Sequence, residues 1–472
     1  MAPTTILWIR KEFRLADNPA LAMALEGDAP VIPVFILDPE TRDSGGAAAQ
    51  WRMGRAIARF AETLEGKGQR LVLRRGDALE TLRALVKETG AQRVVWGRHY
   101  DAASRARDEA VKAALKENGI EAVSVRAHLM FEPWTIETKS GGPYRVYSPF
   151  KRACFEREDE IGDPIPEPGA LSPPDNWPDS ESLEDWALGQ AMNRGGEIVA
   201  QYATIGEAAA LARLEDFVDI AAGYDEGRNI LGRTGTSRLS ENYAWGEISA
   251  RTAWHRIRSY MARSTKPDTG PTVYLQELLW REFAYHLLFH YPDLATENWR
   301  EEWQAFPWRK DNEDAERWRR GMTGIAGVDA AMRELYTTGY MHNRMRMLTA
   351  SFLTKHLMTD WRVGEAWFRD CLTDYDPASN AMGWQWVAGS GPDATPFFRI
   401  FNPETQVEKF DPQNRYVSRW LNGESEDARA FHAAIPRSWG MAAADARPAP
   451  LIGLKEGRER ALAAYKAMRE QQ

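Results

Sequence analysis

An α/β unit built on a doubly wound parallel sheet, followed by an all-α unit, is the architecture this 472-residue sequence predicts. Three observations carry that expectation. The length exceeds what one hydrophobic core ordinarily serves, so two domains are the starting point. Short apolar runs alternate with helical stretches through the first 130 residues. Beyond about Glu197 the strand signal gives way to long helical periodicity.

The apolar runs are Ile6–Ile9, Val31–Leu37, Leu71–Leu73, Val94–Trp96 and Ala122–Val125, each about strand length and each separated from the next by a helix-like segment. That alternation predicts a parallel sheet covered on both faces. No GxGxxG follows the first strand, so the usual dinucleotide fingerprint is missing from the α/β unit. Between Pro164 and Pro178 the chain is rich in Pro, Asp and Ser, which reads as a linker or long surface loop. The expected division is 1–130 for the α/β domain, 131–195 for the interdomain linker and 196–472 for the helical domain.

Composition excludes several classes. Charged residues are 27% and hydrophobic ones 43%, a normal globular balance. No apolar run is long enough for a membrane span, and the segment Met1–Trp8 reads as a strand instead of a signal peptide. Cys154 and Cys371 supply neither a disulfide framework nor a metal cluster, and the eight His show no zinc-type spacing. A metal-free cytoplasmic protein is therefore expected. The net charge of −8 argues mildly against a surface coated in nucleic acid, yet leaves room for a local basic groove.

Four segments have the residue types for chemistry. Asp374–Trp386 gathers two carboxylates, amides and two indoles, a combination suited to redox work around a polar ring. Thr234–Ser240 leads a loop into a helix, where hydroxyls, free N–H groups and Arg238 make an anion site; plain N-capping by Thr236, Ser237 or Ser240 explains the same string. Leu275–Leu288 is a helix with Glu277 and Trp280 on one face and Arg281 a turn on, although an exposed Glu–Arg pair reads equally well. Met341–Leu353 places Asn343 and Met347 at i and i+4 between Arg344 and Arg346, which suits a flat ligand with an anionic part; a core Met stripe with snorkelling arginines fits too. His342 reads as a structural histidine.

Together these segments resemble the photolyase/cryptochrome family. The opening Ile6–Pro19, Trp318–Gly324, Met341–Arg344, Gly383–Ala388 and Phe398–Pro403 follow in the family's order. The resemblance implies FAD held in the helical domain, with Tyr224, Thr236, Ser237, Arg238, Leu239, Ser240 and Arg281 among its contacts. It implies an Arg346–Asp374 ion pair beside the flavin ring, Asp376 at its polar edge and Asn380 facing N5. Trp384, Trp361 and Trp308 correspond to the chain that delivers electrons to the flavin.

The implied activity is light-dependent repair of cyclobutane pyrimidine dimers in UV-damaged DNA, by electron transfer from excited reduced FAD to a flipped-out dimer. Glu277, Asn343, Met347 and Asn380 would act on the lesion or the flavin. Trp280 and Trp386 would wall the flipped bases, with Arg228, Arg344, Arg399 and Gln406 on the DNA. Alternatives are a blue-light signalling cryptochrome, disfavoured by Asn380 and a short tail, and a (6-4) photolyase, disfavoured by Asn343 and Met347 in place of histidines. A second, light-harvesting chromophore is expected in the α/β domain, 5,10-methenyltetrahydrofolate in preference to a deazaflavin, and the protein is expected to be a monomer. Ala103-Ser104 departs from one folate-binding branch, Tyr340 stands where bacterial enzymes often have Trp, and Ile325-Ala326 replaces a common Tyr-Pro. Thr138–Tyr147 is closer to a proteobacterial branch related to plant cryptochromes.

Overall fold

The structure, a computed structural model, describes residues 4–27, 29–393 and 399–470. Five strands form one parallel sheet: β1 (Thr5–Ile9), β2 (Val31–Leu37), β3 (Val72–Arg75), β4 (Arg93–Gly97) and β5 (Glu121–Val125), in the order β3-β2-β1-β4-β5. The order reverses direction at β1, so the crossovers of β1-β2-β3 cover one face and those of β3-β4-β5 the other. β1 and β2 are buried at every position, as a strand covered on both sides requires.

Alternation along the strands divides the core. Leu7, Ile9, Phe35 and Val95 face the Ala47–Glu65 helix through Met53, Ile57 and Phe60. Ile6, Trp8, Val34 and Trp96 face the other side, against Leu82, Leu85, Val111 and Leu115. The first of these clusters does not stop at the sheet. It runs on through Met345, Phe368 and Trp384 of the helical domain, so the Ala47–Glu65 helix serves both units.

A charged contact fixes that junction. Arg52, wholly buried, donates to Glu247 Oε1 and Oε2 at 3.0 and 2.6 Å and also to Glu241. Burial opposes the guanidinium's charge, yet the two carboxylates more than offset it and its pKa lies above the ordinary value. Gly246 between these acids has φ +62°, and a Cβ there would meet the Lys11 carbonyl at 1.6 Å, so only glycine lets this turn touch the α/β domain.

The segment 131–195 is more structured than a linker. Its helix Tyr147–Glu156 buries Tyr147, Phe150 and Cys154 against the long Thr269–His290 helix. The Pro-rich part does run without helix or strand, and it returns over the sheet by Val31 N–H to Ser172 O at 3.0 Å. Within the helical domain, Asn343–Ser351 continues into a widened π-turn, Phe352–His356, before the helices Trp361–Cys371 and Pro377–Ala388. Among the described residues no helix is long and apolar enough to cross a membrane.

Glu247→Ala removes the bidentate partner and leaves Arg52 buried with less counter-charge, which costs about 3–5 kcal/mol when a buried pair is broken. A large drop in melting temperature relative to an exposed Glu→Ala control, followed by circular dichroism, is the expected result.

Candidate functional site

Two helices shape the site. Asn343, Arg346, Met347 and Ala350 recur at helical spacing on Asn343–Ser351, and Asn380, Gly383, Trp384 and Val387 do so on Pro377–Ala388. Their facing stripes, closed by Phe368, Leu372, Asp374 and Asp376, enclose a cavity of ≈ 170 Å³. His342 starts the first helix by accepting from Arg344 N–H at 3.2 Å, and burial pushes its imidazole down to about 4, the behaviour of a structural histidine.

The cavity's polar side is built on one carboxylate. Asp374 Oδ2 accepts from Arg346 at 2.7 Å and from the Ser240 hydroxyl at 2.7 Å. Arg346 is held further by donating to the Met341 carbonyl at 2.7 Å. Burial disfavours the Arg346 charge, but Asp374 outweighs it and raises the pKa. Asp374 Oδ1 is buried and has no hydrogen-bond partner among the described residues. Tyr340 lies between two of the predicted cationic residues, with Arg238 4.4 Å and Arg346 5.4 Å from its ring centre.

Asp376 caps the Pro377–Ala388 helix, its Oδ1 accepting from Ser379 N–H at 2.7 Å, while Oδ2 accepts from the Tyr285 hydroxyl at 2.6 Å. Asn380 donates to Glu365 at 3.0 Å, and Tyr375 donates to the same oxygen at 3.2 Å. Burial raises the Glu365 carboxyl, and these two donors act against it. One amide hydrogen of Asn380 is therefore committed to Glu365, which leaves the other and the carbonyl to meet a ligand.

The three predicted indoles lie on elements packed in sequence. Trp384 is buried and crosses Gly364, where a Cβ would stand 2.1 Å from the indole. Gly364 belongs to the helix that opens with Trp361, which is fully buried and donates to Asn298 at 2.9 Å. Half-buried Trp308 is set beside that helix's start by Arg309 N–H to Met358 O at 2.8 Å and Asp360 N–H to Arg309 O at 2.9 Å. A further buried indole, Trp318, has its ring centre 6.2 Å from that of Trp384.

Around the site, the structure joins residues that the sequence treats separately. Arg228 and Glu277 form an ion pair, so this arginine is not a free phosphate clamp. Arg344 donates to Asn229 and stacks 4.4 Å from the Phe410 ring centre, on the helix Pro403–Phe410 that also carries Gln406. Burial lowers the Arg344 pKa, and the charges of Arg228 and Arg399 lower it further, which places three arginines within one field. Arg399 is exposed, and its carbonyl accepts from Lys355 at 2.9 Å, a buried amine that burial pushes down to about 7. Phe398, which begins one of the family-like motifs, lies outside the described residues.

Other expectations meet a different geometry. Arg281 does not line the cavity; it donates to the His128 carbonyl at 3.1 Å and to His128 Nε2 at 2.6 Å. Glu277, Trp280 and Trp386 also lie outside the cavity lining, as do Tyr224 and the 236–239 stretch. Leu239 is fully buried and presents no surface to a ligand. Arg238 has φ +52°, and the turn it makes leads directly into the Ser240–Ala244 helix.

Sequence reading missed Glu365, Tyr285 and Phe368. Trp361, Glu365, Phe368 and Leu372 follow i, i+4, i+7, i+11, so an acid on an otherwise apolar stripe was the available signal for Glu365. Tyr285 stands one turn beyond Arg281, and nothing local distinguishes it from a core tyrosine.

Both units of the chain match known proteins. Residues 5–169 match the DNA photolyase family model, and residues 274–467 match the FAD binding domain of DNA photolyase. A deoxyribodipyrimidine photo-lyase of Agrobacterium fabrum is 45% identical over 98% of this chain and 98% of its own length. The crystal structure of a bacterial class III photolyase from Agrobacterium tumefaciens superposes with a TM-score of 0.90 at 44% identity, covering 100% of this chain and 98% of that one. An archaeal photolyase from Sulfolobus tokodaii, solved with two FAD molecules, superposes at 0.78 with 27% identity, over 98% of this chain and 100% of that one. With identity at that level along almost the whole length of both chains, the protein belongs to the photolyase/cryptochrome family.

Proposed function

We propose that the protein splits cyclobutane pyrimidine dimers in UV-damaged DNA in a light-driven reaction, with FAD in the cavity between the Asn343–Ser351 and Pro377–Ala388 helices. The carrying observation is the buried Asp374 oxygen left without a partner beside Arg346, at the edge of a lining of Asn343, Met347, Asn380 and Trp384. A buried acceptor without a donor is costly, and a ligand N–H relieves it. Asp376 and the uncommitted half of the Asn380 amide offer further edge contacts. Tyr224, the backbone of the 236–238 turn and Ser240 are the candidates for the phosphate and ribose portion.

Bound and fully reduced, FAD supplies on illumination the electron that cleaves the dimer and receives it back. The chain's own residues do the rest. Arg344, Arg399 and Gln406 hold the DNA backbone, and Trp280 and Trp386 offer apolar faces to the flipped bases. Glu277, fixed by Arg228, presents a carboxylate to an N–H of the dimer, where charge develops as the ring opens. Trp384, Trp361 and Trp308 relay an electron inward from the surface.

A second chromophore is proposed in a cleft of ≈ 230 Å³ between the α/β domain and the Thr269–His290 helix, lined by Trp96, Tyr100, Trp134 and Phe289. Among the described residues, Arg105 and Lys112 in this cleft pair with no carboxylate. Aromatic walls with cations outside any ion pair suit a flat ring bearing a carboxylate tail, which favours 5,10-methenyltetrahydrofolate over a deazaflavin. Trp134→Ala is expected to lose any non-flavin absorption band of the purified protein while FAD remains, and mass spectrometry of the released chromophore identifies its class. Retention of that band in the variant would place the chromophore elsewhere.

Anaerobic illumination of the reduced protein with a duplex carrying one cyclobutane thymine dimer tests the central reading. Light-dependent return of thymine absorbance is expected, and its failure with FAD bound would sink the assignment. Trp361→Phe is expected to block photoreduction of oxidised flavin while leaving repair by chemically reduced protein intact. Asp374→Asn, which withdraws the counter-charge of Arg346, is expected to weaken FAD retention by about tenfold or more, read as the flavin-to-protein absorbance ratio after gel filtration.

A further inference from the structure

The Trp280 indole does not stand alone. Tyr147, the first residue of the Tyr147–Glu156 helix, stacks on it with ring centres 3.5 Å apart and planes within 12°. So close and parallel an overlap occupies one face of Trp280, and the residue as a whole stays only partly buried. The Tyr147 hydroxyl donates to the Gln276 carbonyl at 2.6 Å. In a helix that carbonyl also accepts from the N–H of Trp280, so Tyr147 grips the turn that carries the indole it covers.

The same residue reaches a second wall of the site. The Tyr147 backbone N–H faces the Asp393 carboxylate and acts against the burial that raises its pKa. Asp393 follows the Pro377–Ala388 helix and the Gly391 turn, which is tied back to that helix by Gly391 N–H to Gln385 O at 3.0 Å, one residue before Trp386. Phe283 closes the stack from the side, with ring centres 5.8 Å from Tyr147 and 6.0 Å from Trp280. Burial, reinforced by the Glu277 carboxylate, raises the phenol's pKa and keeps it neutral. The stack is therefore an uncharged aromatic pair, anchored by the Tyr147 hydroxyl to the turn that carries Trp280.

We propose that Tyr147 is a positioning residue for lesion recognition: by occupying one face of Trp280 and gripping the helical turn that carries it, it presents the opposite indole face as a fixed platform for the flipped pyrimidine dimer. This inference rests on the repair function proposed above. A platform held at a fixed angle loses little rotamer entropy when a base stacks on it, and base–aromatic stacking contributes a free energy that a mobile ring would partly forfeit. Tyr147 touches neither lesion nor cofactor in this scheme and acts through Trp280 alone.

The test is dark binding of the FAD-loaded protein, by fluorescence anisotropy, to a duplex with one cyclobutane thymine dimer and to the same duplex undamaged. Tyr147→Leu fills most of the volume without an aromatic face, and Tyr147→Phe keeps the stack but loses the hydroxyl. The Leu variant is expected to bind the lesion duplex about tenfold more weakly, with affinity for undamaged DNA, FAD content and flavin photoreduction unchanged. The Phe variant is expected to stay within about twofold of the wild type on the lesion, because the stack persists. Unchanged lesion affinity in Tyr147→Leu, equal losses on both duplexes, or a Phe variant as weak as the Leu variant would each overturn the role. A wild-type protein that fails to distinguish the two duplexes overturns the repair reading itself, and this inference with it.

Discussion

The cavity depends on one ion pair, in which Asp374 is buried and Arg346 is partly so. Removing the Asp374 carboxylate from water costs several kcal/mol, and the attraction of Arg346 offsets this only when the remaining acceptors are satisfied. Arg346 is held further by the Met341 carbonyl, and Asp374 meets half of that condition through Ser240. The unmet half is Oδ1. A scaffold that spends stability on a charge and then leaves one oxygen of it unpaired is arranged for a ligand with a donor at that spot. Three chain segments converge there: the Ser240–Ala244 helix, the Asn343–Ser351 helix and the stretch leading into Pro377–Ala388. The pair thereby fixes the mutual placement of Asn343, Met347 and Asn380.

That placement is transmitted to the α/β domain because the two units share a core. The Ala47–Glu65 helix packs on the sheet with one side and on the Trp361–Cys371 helix with the other, and Arg52 locks it to Glu241 and Glu247. Glu241 lies one residue beyond Ser240, so the junction network and the ligand pocket meet at the same short helix. A second chromophore between Trp134 and Phe289 would then sit at a fixed distance and angle from the first. Energy transfer between two chromophores depends on their distance and relative orientation, and a shared core holds both constant.

What the sequence made legible follows from periodicity. All five strands were readable because a doubly covered parallel sheet leaves nearly unbroken apolar runs. The lining residues Asn343 and Met347 were readable because their spacing puts them on one helical stripe, whereas Asn380 and Trp384 took their roles from the resemblance of their motif to the family's. Contacts between elements were not readable. Nothing local says that Arg228 spends its charge on Glu277, that Asn380 shares a hydrogen with Glu365, or that Arg281 turns to His128 and away from the cavity. Tyr147 is the clearest case, since a stretch bounded by Pro-rich sequence reads as linker until its helix is seen packed on Thr269–His290. Side chains that act across 130 residues of chain leave no spacing to detect.

The surroundings of the three indoles give the proposed relay a direction. Trp384 has a buried N–H with no acceptor, so a positive charge formed there finds little stabilisation. At Trp361 the N–H is accepted by Asn298 at 2.9 Å, which favours the charge, but the Arg362 guanidinium lies 4.8 Å from the ring centre and opposes it. Trp361 is then better suited to pass the charge than to keep it. Trp308 is half-buried, its N–H held by the Trp303 carbonyl at 3.2 Å, and solvent there can reorganise around a cation and take its proton. Desolvation disfavours charge in the interior and water favours it at the surface. The gradient of burial alone therefore draws the positive charge outward, which is the same as drawing the electron inward.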